Sequence, residues 1–167
     1  SISLLECIVF ASQLSHLHLE EATFEMKSEA EINVPETWDQ ELEKFENVRY
    51  NLPILVWENA GICRCHHGLE KAITQVQTWR EELSGLGMSR YILNLTPSEN
   101  IVISERRGQS QLKLGAETLN LLDIAYLILK SAVFRTESRG GHYRSDYPDT
   151  SPNWQVHTLV EGDRWWT

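Results

Sequence analysis

The sequence has 167 residues, of which 41% are hydrophobic and six are tryptophan, enough to bury the core of one ordinary domain. Its formal net charge is −9, and because the acidic excess lies between residues 20 and 46 with no basic stripe elsewhere, the composition argues against a nucleic acid or a membrane surface as partner. The lack of an apolar stretch of about 20 residues, of a basic signal-peptide start and of an even set of cysteines predicts a soluble, cytoplasmic chain.

The first 19 residues carry apolar side chains at helical spacing and predict a helix. Because this helix starts abruptly, we expect it to belong to a larger unit. Residues 20–47 follow as a connector, since the acidic excess and the Asn33-Val34-Pro35 break indicate a solvated surface segment. A short helix is expected inside the connector, beginning near Thr37.

Residues 48–135 contain three amphipathic segments. The first spans about 52–62, where Pro53 is tolerable only near the first helical turn. The second spans 68–86, and the third, 114–135, has so many apolar positions that we expect it to be buried on most sides. The stretch 88–114 between them is predicted to be a connecting loop with some extended character.

These segments predict an all-α fold. Three apolar helix faces satisfy one another as a three-helix bundle, similar to a spectrin repeat, over residues 48–135. The extra N-terminal helix precedes the bundle, and an irregular C-terminal arm, residues 136–167, follows it. The arm has neither helical nor alternating periodicity, so we expect it to be held by packing on another surface.

A run of residues that includes zinc-ligand types, Cys63-Arg64-Cys65-His66-His67, is a candidate metal site. Residues one or two apart on a helix point to different sides, and no second ligand pair completes a tetrahedral site, which favours a structural role over a metalloprotein. The sequence also lacks a nucleophile elbow and the glycine-rich phosphate-binding motifs. We therefore assign no catalytic residue, no metal ligand and no self-contained cofactor site.

The arm contains the densest polar stretch of the chain, residues 137–148. Arg139 and Arg144 can form bidentate pairs with carboxylates, and Gly140 and Gly141 permit close backbone approach. Because polar density without periodicity requires partners, the stretch indicates an arm anchored by salt bridges rather than a catalytic site.

Three blocks of the arm, in order, resemble the terminal signature of the succinate dehydrogenase, fumarate reductase and L-aspartate oxidase flavoproteins. They are Glu137-Ser138-Arg139-Gly140-Gly141-His142-Tyr143-Arg144, Asp146-Tyr147-Pro148 and Trp154-Gln155-Val156-His157-Thr158. The opening Ser1-Ile2-Ser3-Leu4-Leu5-Glu6 is similar to the S-N-S-L-L-E segment of the same family, with Ile2 in place of Asn. Residues 52–69, with Trp57, Gly61-Ile62 and Arg64, are similar to the first helix pair of its carboxy-terminal domain.

The resemblance implies a helical domain of an FAD-dependent enzyme that oxidises L-aspartate to iminoaspartate in NAD biosynthesis. It assigns residues 1–19, as a helix, to the FAD domain of that enzyme. It places Ser3 and Leu4 beside the flavin ring, at a helix start whose free N–H groups suit that contact. The FAD-binding and capping domains of the same enzyme are the implied partners, with Arg139, His142 and Arg144 as interdomain anchors. By itself the chain is expected to bind no FAD and to be inactive.

A second hypothesis stays open. The bundle can instead be a free-standing helical interaction module that binds a flavoprotein through its first helix and its arm. A reading frame that continues upstream with a dinucleotide-binding motif favours the first hypothesis, and a start codon close to Ser1 favours the second.

Overall fold

The computed structural model describes residues 8–9, 11–13, 16–17, 30–31, 34–95, 101–103 and 105–167, and these are mostly helical. Their α-helices are α1 (Thr37–Ala60), α2 (His66–Ser84), α3 (Gly87–Leu93) and α4 (Arg106–Phe134). Strands β1 (Ala30–Glu31) and β2 (Ile101–Val102) pair in parallel, and β3 (Leu159–Glu161) and β4 (Arg164–Trp166) form an antiparallel hairpin. The predicted all-α class is confirmed.

Helices α1, α2 and α4 pack pairwise as a three-helix bundle. Asp39 of α1 pairs with Arg107 of α4, and ten residues further along both helices Arg49 lies 3.8 Å from Glu117, so α1 and α4 run parallel. Helix α2 returns between them after a five-residue connection. None of the described helices is long and apolar enough to cross a membrane.

Helix α1 is one continuous helix of 24 residues, not a short helix followed by a second one from residue 52. Pro53 lies deep inside it rather than in the first turn. The proline removes the donor for the carbonyl of Arg49, but Pro53 is exposed, so water can satisfy that carbonyl. The helix begins eleven residues ahead of the predicted bundle boundary at residue 48, and Trp38 and Phe45, both expected in the connector, are buried.

The stretch 88–114 differs from the predicted loop. It contains α3 and the start of α4, which begins at Arg106 instead of residue 114. Glu41 of α1 accepts hydrogen bonds from the N–H groups of Gly87 and Met88, at 2.8 and 2.9 Å, and so fixes the start of α3. The short β2 in the same stretch agrees with the expected extended character.

The hydrophobic core lies between the three long helices and α3. Its members are Trp38, Phe45, Val48, Leu52, Ala60, Leu69, Ala72, Ile73, Val76, Leu83, Met88, Leu122, Ala125, Tyr126, Leu129 and Ala132. We expected helix α4 to be buried on most sides, and it is not. Ile124 and Ile128 are 52% and 51% exposed. Of the helix predicted over residues 1–19, residues 8–9 and 11–13 are helical, residues 16–17 are not helical, and the others fall outside the described residues.

Gly61 ends α1 and permits the turn that leads to α2. A Cβ at this position would collide with the main-chain carbonyl oxygen of Trp57, to which the Gly61 N–H donates a hydrogen bond. We expect Gly61→Ala to lower the free energy of unfolding by about 1–3 kcal/mol, because a backbone atom must shift. Gly85→Ala is the matched control.

Gly85 has helical backbone angles, and the nearest atom to an added Cβ is 3.9 Å away. Its replacement should stabilise the chain by about 0.4–1 kcal/mol through the unfolded state. Urea unfolding of both variants measures the difference, and equal midpoints would disprove the steric role of Gly61.

Candidate functional site

The arm is anchored at the carboxyl end of α4 by Arg144, whose side chain is fully buried. Its Nη1 donates to the carbonyl oxygens of Ala132 at 2.7 Å and of Val133 at 3.1 Å. The last carbonyls of a helix have no partner within the helix, and a cation is favourable beside them. Arg144 thus caps α4, although it lies ten positions beyond the end of that helix.

Asp146 completes the ion pair and connects it to α2. Its two carboxylate oxygens accept hydrogen bonds from Nε and Nη2 of Arg144, at 2.7 and 2.6 Å. The same carboxylate accepts the first N–H of α2, from His66, at 2.8 Å, where Cys65 supplies no side-chain cap. The bonds from Arg144, followed by that from His66, hold the pKa of Asp146 well below its usual range. One ion pair therefore caps the end of α4 and the start of α2.

Glu137 is the second buried charge of the arm. Its carboxylate accepts hydrogen bonds from Arg139 at 2.9 and 3.0 Å, from Arg135, and from the N–H of Ser151 at 2.9 Å. The Arg139 hydrogen bonds are the main cause that lowers the pKa of Glu137 to about 2, against the opposing effect of burial. Glu137 ties the first residues of the arm to its middle.

His142 lies in a tight turn that the two adjacent glycines make possible. Arg139 and His142 exchange both backbone hydrogen bonds, at 2.8 and 3.0 Å, and Gly140 has a φ of 57°. The ring Nε2 lies 3.2 Å from the carbonyl oxygen of Arg135. Burial is the largest cause that lowers the pKa of His142, and nearby guanidinium charges add to it, against the opposing effect of the hydrogen bond with the Arg135 carbonyl.

Arg64 joins the connection between α1 and α2 to the arm. Its N–H donates to Tyr143 at 3.2 Å, and its carbonyl accepts from the N–H of Ser145 at 2.8 Å. Its side chain donates to Ala60 and Gly141, both at 3.0 Å. The run from Cys63 to His67 thus carries backbone contacts to the arm, and among the described residues no three His, Cys, Asp or Glu side chains are placed to share a metal ion.

Two tryptophans of the arm, whose partners the sequence did not indicate, pack on the end of α4. Trp154 makes an edge contact with Phe134 at a centroid distance of 5.3 Å, and its Nε1 donates to Thr136 at 3.0 Å. Trp165 of β4 contacts Tyr126 in the same way and donates to Ser131. The sequence signal that could have indicated these contacts was the high tryptophan content of the arm. The indole N–H groups needed acceptors, which these three-dimensional contacts supply.

The sequence-predicted site residues separate into two groups. Arg139, His142 and Arg144 lie in one cluster, whereas Ser3 and Leu4 fall outside the described residues. Arg144 is fully buried and is bonded to Asp146 and to the last carbonyls of α4, which gives it a role inside the domain. Arg139, 41% exposed at its side chain, and the half-buried His142 reach the surface. The cluster can hold parts of the fold together.

The family model described as the fumarate reductase flavoprotein carboxy-terminal domain matches residues 49–165, from the middle of α1 to the hairpin. The chain belongs to this flavoprotein family. The match covers both the bundle and the arm, which the ion pair of Arg144 and Asp146 holds together. The resemblance seen in the sequence motifs is therefore confirmed.

Individual relatives agree with the family. The chain is 46% identical over 173 residues to an L-aspartate oxidase of a Nostoc species, covering 99% of this chain and 30% of that protein. An L-aspartate oxidase of a Synechocystis species is also 46% identical, covering 98% of this chain and 30% of that protein. An L-aspartate oxidase of Vibrio cholerae is 30% identical over 89% of this chain and 25% of its own length. No solved structure is significantly similar to the chain.

The flavoprotein domain should depend on the buried guanidinium of Arg144. We expect Arg144→Ala to lower the free energy of unfolding by about 3–5 kcal/mol, because it leaves Asp146 and two helix carbonyls without their partner. Arg144→Lys should recover only part of the loss, since an ammonium cannot form the bidentate pair. Arg164→Ala is the control, because its pair with Glu161 is exposed and should contribute less than about 1 kcal/mol. Urea unfolding compares the three variants, and a similar loss for Arg144→Ala and Arg164→Ala would contradict the capping role.

The pH dependence of stability should include Glu137. Because folding lowers its pKa from 4.5 to about 2, its contribution is complete above pH 4.5 and is lost as the pH falls toward 2. We expect the wild-type advantage in urea midpoint over Glu137→Gln to shrink across that interval. A difference that stays constant with pH would show that Glu137 does not act through its charge.

Proposed function

We propose that the chain is the carboxy-terminal helical part of an FAD-dependent L-aspartate oxidase, the enzyme that oxidises L-aspartate to iminoaspartate in NAD biosynthesis. The observation that carries the proposal is the 46% identity to two L-aspartate oxidases over nearly the whole chain. Because the chain spans 30% of the length of those relatives, the substrate-binding and FAD-binding domains would lie in the remaining part of the polypeptide.

The role proposed for the chain inside that enzyme is structural. Hydride transfer would be carried out by the flavin. The start of α2 is not available to a pyrophosphate, because its first N–H group already binds the carboxylate of Asp146. Ser3 and Leu4 remain the residues of this chain that we propose beside the flavin ring. We also propose a cytoplasmic location for the enzyme.

The interdomain role is proposed for Arg139 and His142 rather than for Arg144. Arg139 combines a buried carboxylate partner, Glu137, with a partly exposed guanidinium, so its position is fixed before any domain docks. Arg144 supports the same surface from inside by holding the arm on α4. This division follows from exposure, because the Arg144 side chain is fully buried, whereas the Arg139 side chain is 41% exposed and can reach a neighbouring domain.

The proposal predicts a division of activity between the chain and the complete enzyme. The purified 167-residue chain, titrated with FAD while its tryptophan fluorescence is followed, should show no saturable quenching and no L-aspartate-dependent peroxide. The polypeptide encoded by the complete reading frame should bind FAD and oxidise L-aspartate. A complete polypeptide with bound flavin but without L-aspartate oxidation would reject the assigned substrate, and turnover by the isolated chain would reject the structural role.

A further inference from the structure

The bundle exposes large apolar side chains unevenly. Helix α2 has none among its exposed residues, and its outer positions are polar. In contrast, α1 exposes Tyr50 at 72%, Ile54 at 43% and Trp57 at 69%, and α4 exposes Ile124 and Ile128 at 52% and 51%. A solvated helix normally presents polar residues on its outer face, as α2 does. The apolar excess is thus confined to two of the three long helices.

The exposed apolar residues of α1 and α4 lie at overlapping levels along the two helices. The helices are parallel, and the contact between Arg49 and Glu117 sets their relative level. Eight residues beyond Arg49 and Glu117 lie Trp57 and residue 125, respectively, so Trp57 is level with the stretch between Ile124 and Ile128. We call the surface formed by Tyr50, Ile54, Trp57, Ile124 and Ile128 the α1–α4 face.

A groove of about 530 Å³ continues the α1–α4 face toward the arm. Ile128 and Leu127 form its apolar side, and Arg64 and His142 form its polar end. The Arg64 guanidinium is held by the carbonyls of Ala60 and Gly141 and has no carboxylate partner among the described residues. A positioned cation beside exposed aliphatic side chains suits an apolar segment that carries a carboxylate.

We propose that the α1–α4 face and this groove form the docking surface for the preceding domains of the same polypeptide, with Arg64 pairing with a carboxylate of those domains. The inference rests on the proposed function, and it identifies which surface the other domains use. Two thirds or more of each L-aspartate oxidase relative lies outside the matched region, so the occupant is large and is covalently present at high effective concentration.

The arm holds the polar end of the groove beside the α1–α4 face in a fixed position. His142 belongs to the turn that Arg144 and Glu137 hold in place, and Arg64 is bonded to the same turn through Gly141. The polar end of the groove is therefore rigid before docking. A preorganised cation loses little side-chain entropy on binding, which favours a specific contact over loose association.

The test compares the 167-residue chain with the complete flavoprotein, each carrying Ile128→Glu. Leu93→Glu is the matched control, because Leu93 is 65% exposed at the end of α3 and outside the α1–α4 face. We measure the melting temperature of the chain by circular dichroism, and for the flavoprotein the temperature at which flavin fluorescence is released. Sedimentation of each protein reports its oligomeric state.

Ile128→Glu should leave the melting temperature of the chain unchanged and lower the flavin-release temperature of the flavoprotein by about 5 °C or more. Leu93→Glu should change neither. Arg64→Gln should lower the flavin-release temperature by more than it lowers the melting temperature of the chain, because it removes a contact that only the complete enzyme makes.

Three outcomes would overturn the proposal. Equal flavin-release temperatures for Ile128→Glu and Leu93→Glu would exclude docking at this face. A lower melting temperature of the Ile128→Glu chain would show that the face is covered within the chain itself. Loss of a dimer without flavin release would show that a second copy occupies the face. Failure of the proposed function would appear separately, as a wild-type flavoprotein that does not oxidise L-aspartate.

Discussion

The buried ion pair of Arg144 and Asp146 is the interaction on which the rest of the structure depends. A charged side chain is tolerated in a protein interior only when its charge is paired and its hydrogen-bonding groups are satisfied. Here the acceptors for the guanidinium are a carboxylate and the last carbonyls of α4, and the carboxylate also binds the first N–H of α2. The arm can leave the bundle only by exposing two helix ends, so bundle and arm form one unit.

This constraint explains where the polar groups of the arm find their partners. Glu137 is shared by Arg135, Arg139 and the N–H of Ser151, and the glycine turn brings His142 onto a carbonyl of the same segment. These groups stabilise the arm. The L-aspartate oxidase relatives are more than three times as long as this chain, and the α1–α4 face is the surface that we propose for the remaining domains.

The nature of the candidate site could be predicted from residue types, and its contacts could not. Two arginines, two adjacent glycines and two carboxylates within residues 137–148 indicated an anchored arm, and these groups do lie together. Arg144 was expected to be an interdomain anchor. Its side chain is buried against the last carbonyls of α4, which any cation can use as acceptors and which no sequence pattern identifies. The contribution of Arg64 was hidden for a similar reason, since three of its five hydrogen bonds are made by its backbone.

The sequence by itself determined the all-α class, the position of α2 and the core positions Leu122, Tyr126 and Leu129 of α4, because helical periodicity is written within each segment. Tertiary structure decided where α1 begins, that Pro53 lies inside a helix and that α4 keeps Ile124 and Ile128 exposed. In each case the outcome depends on the neighbouring helices. Trp38 and Phe45 become core residues only because α3 and α4 pack against the same side of α1. A periodic pattern shows which side of a helix is apolar, but packing decides which part of that side is covered within this chain.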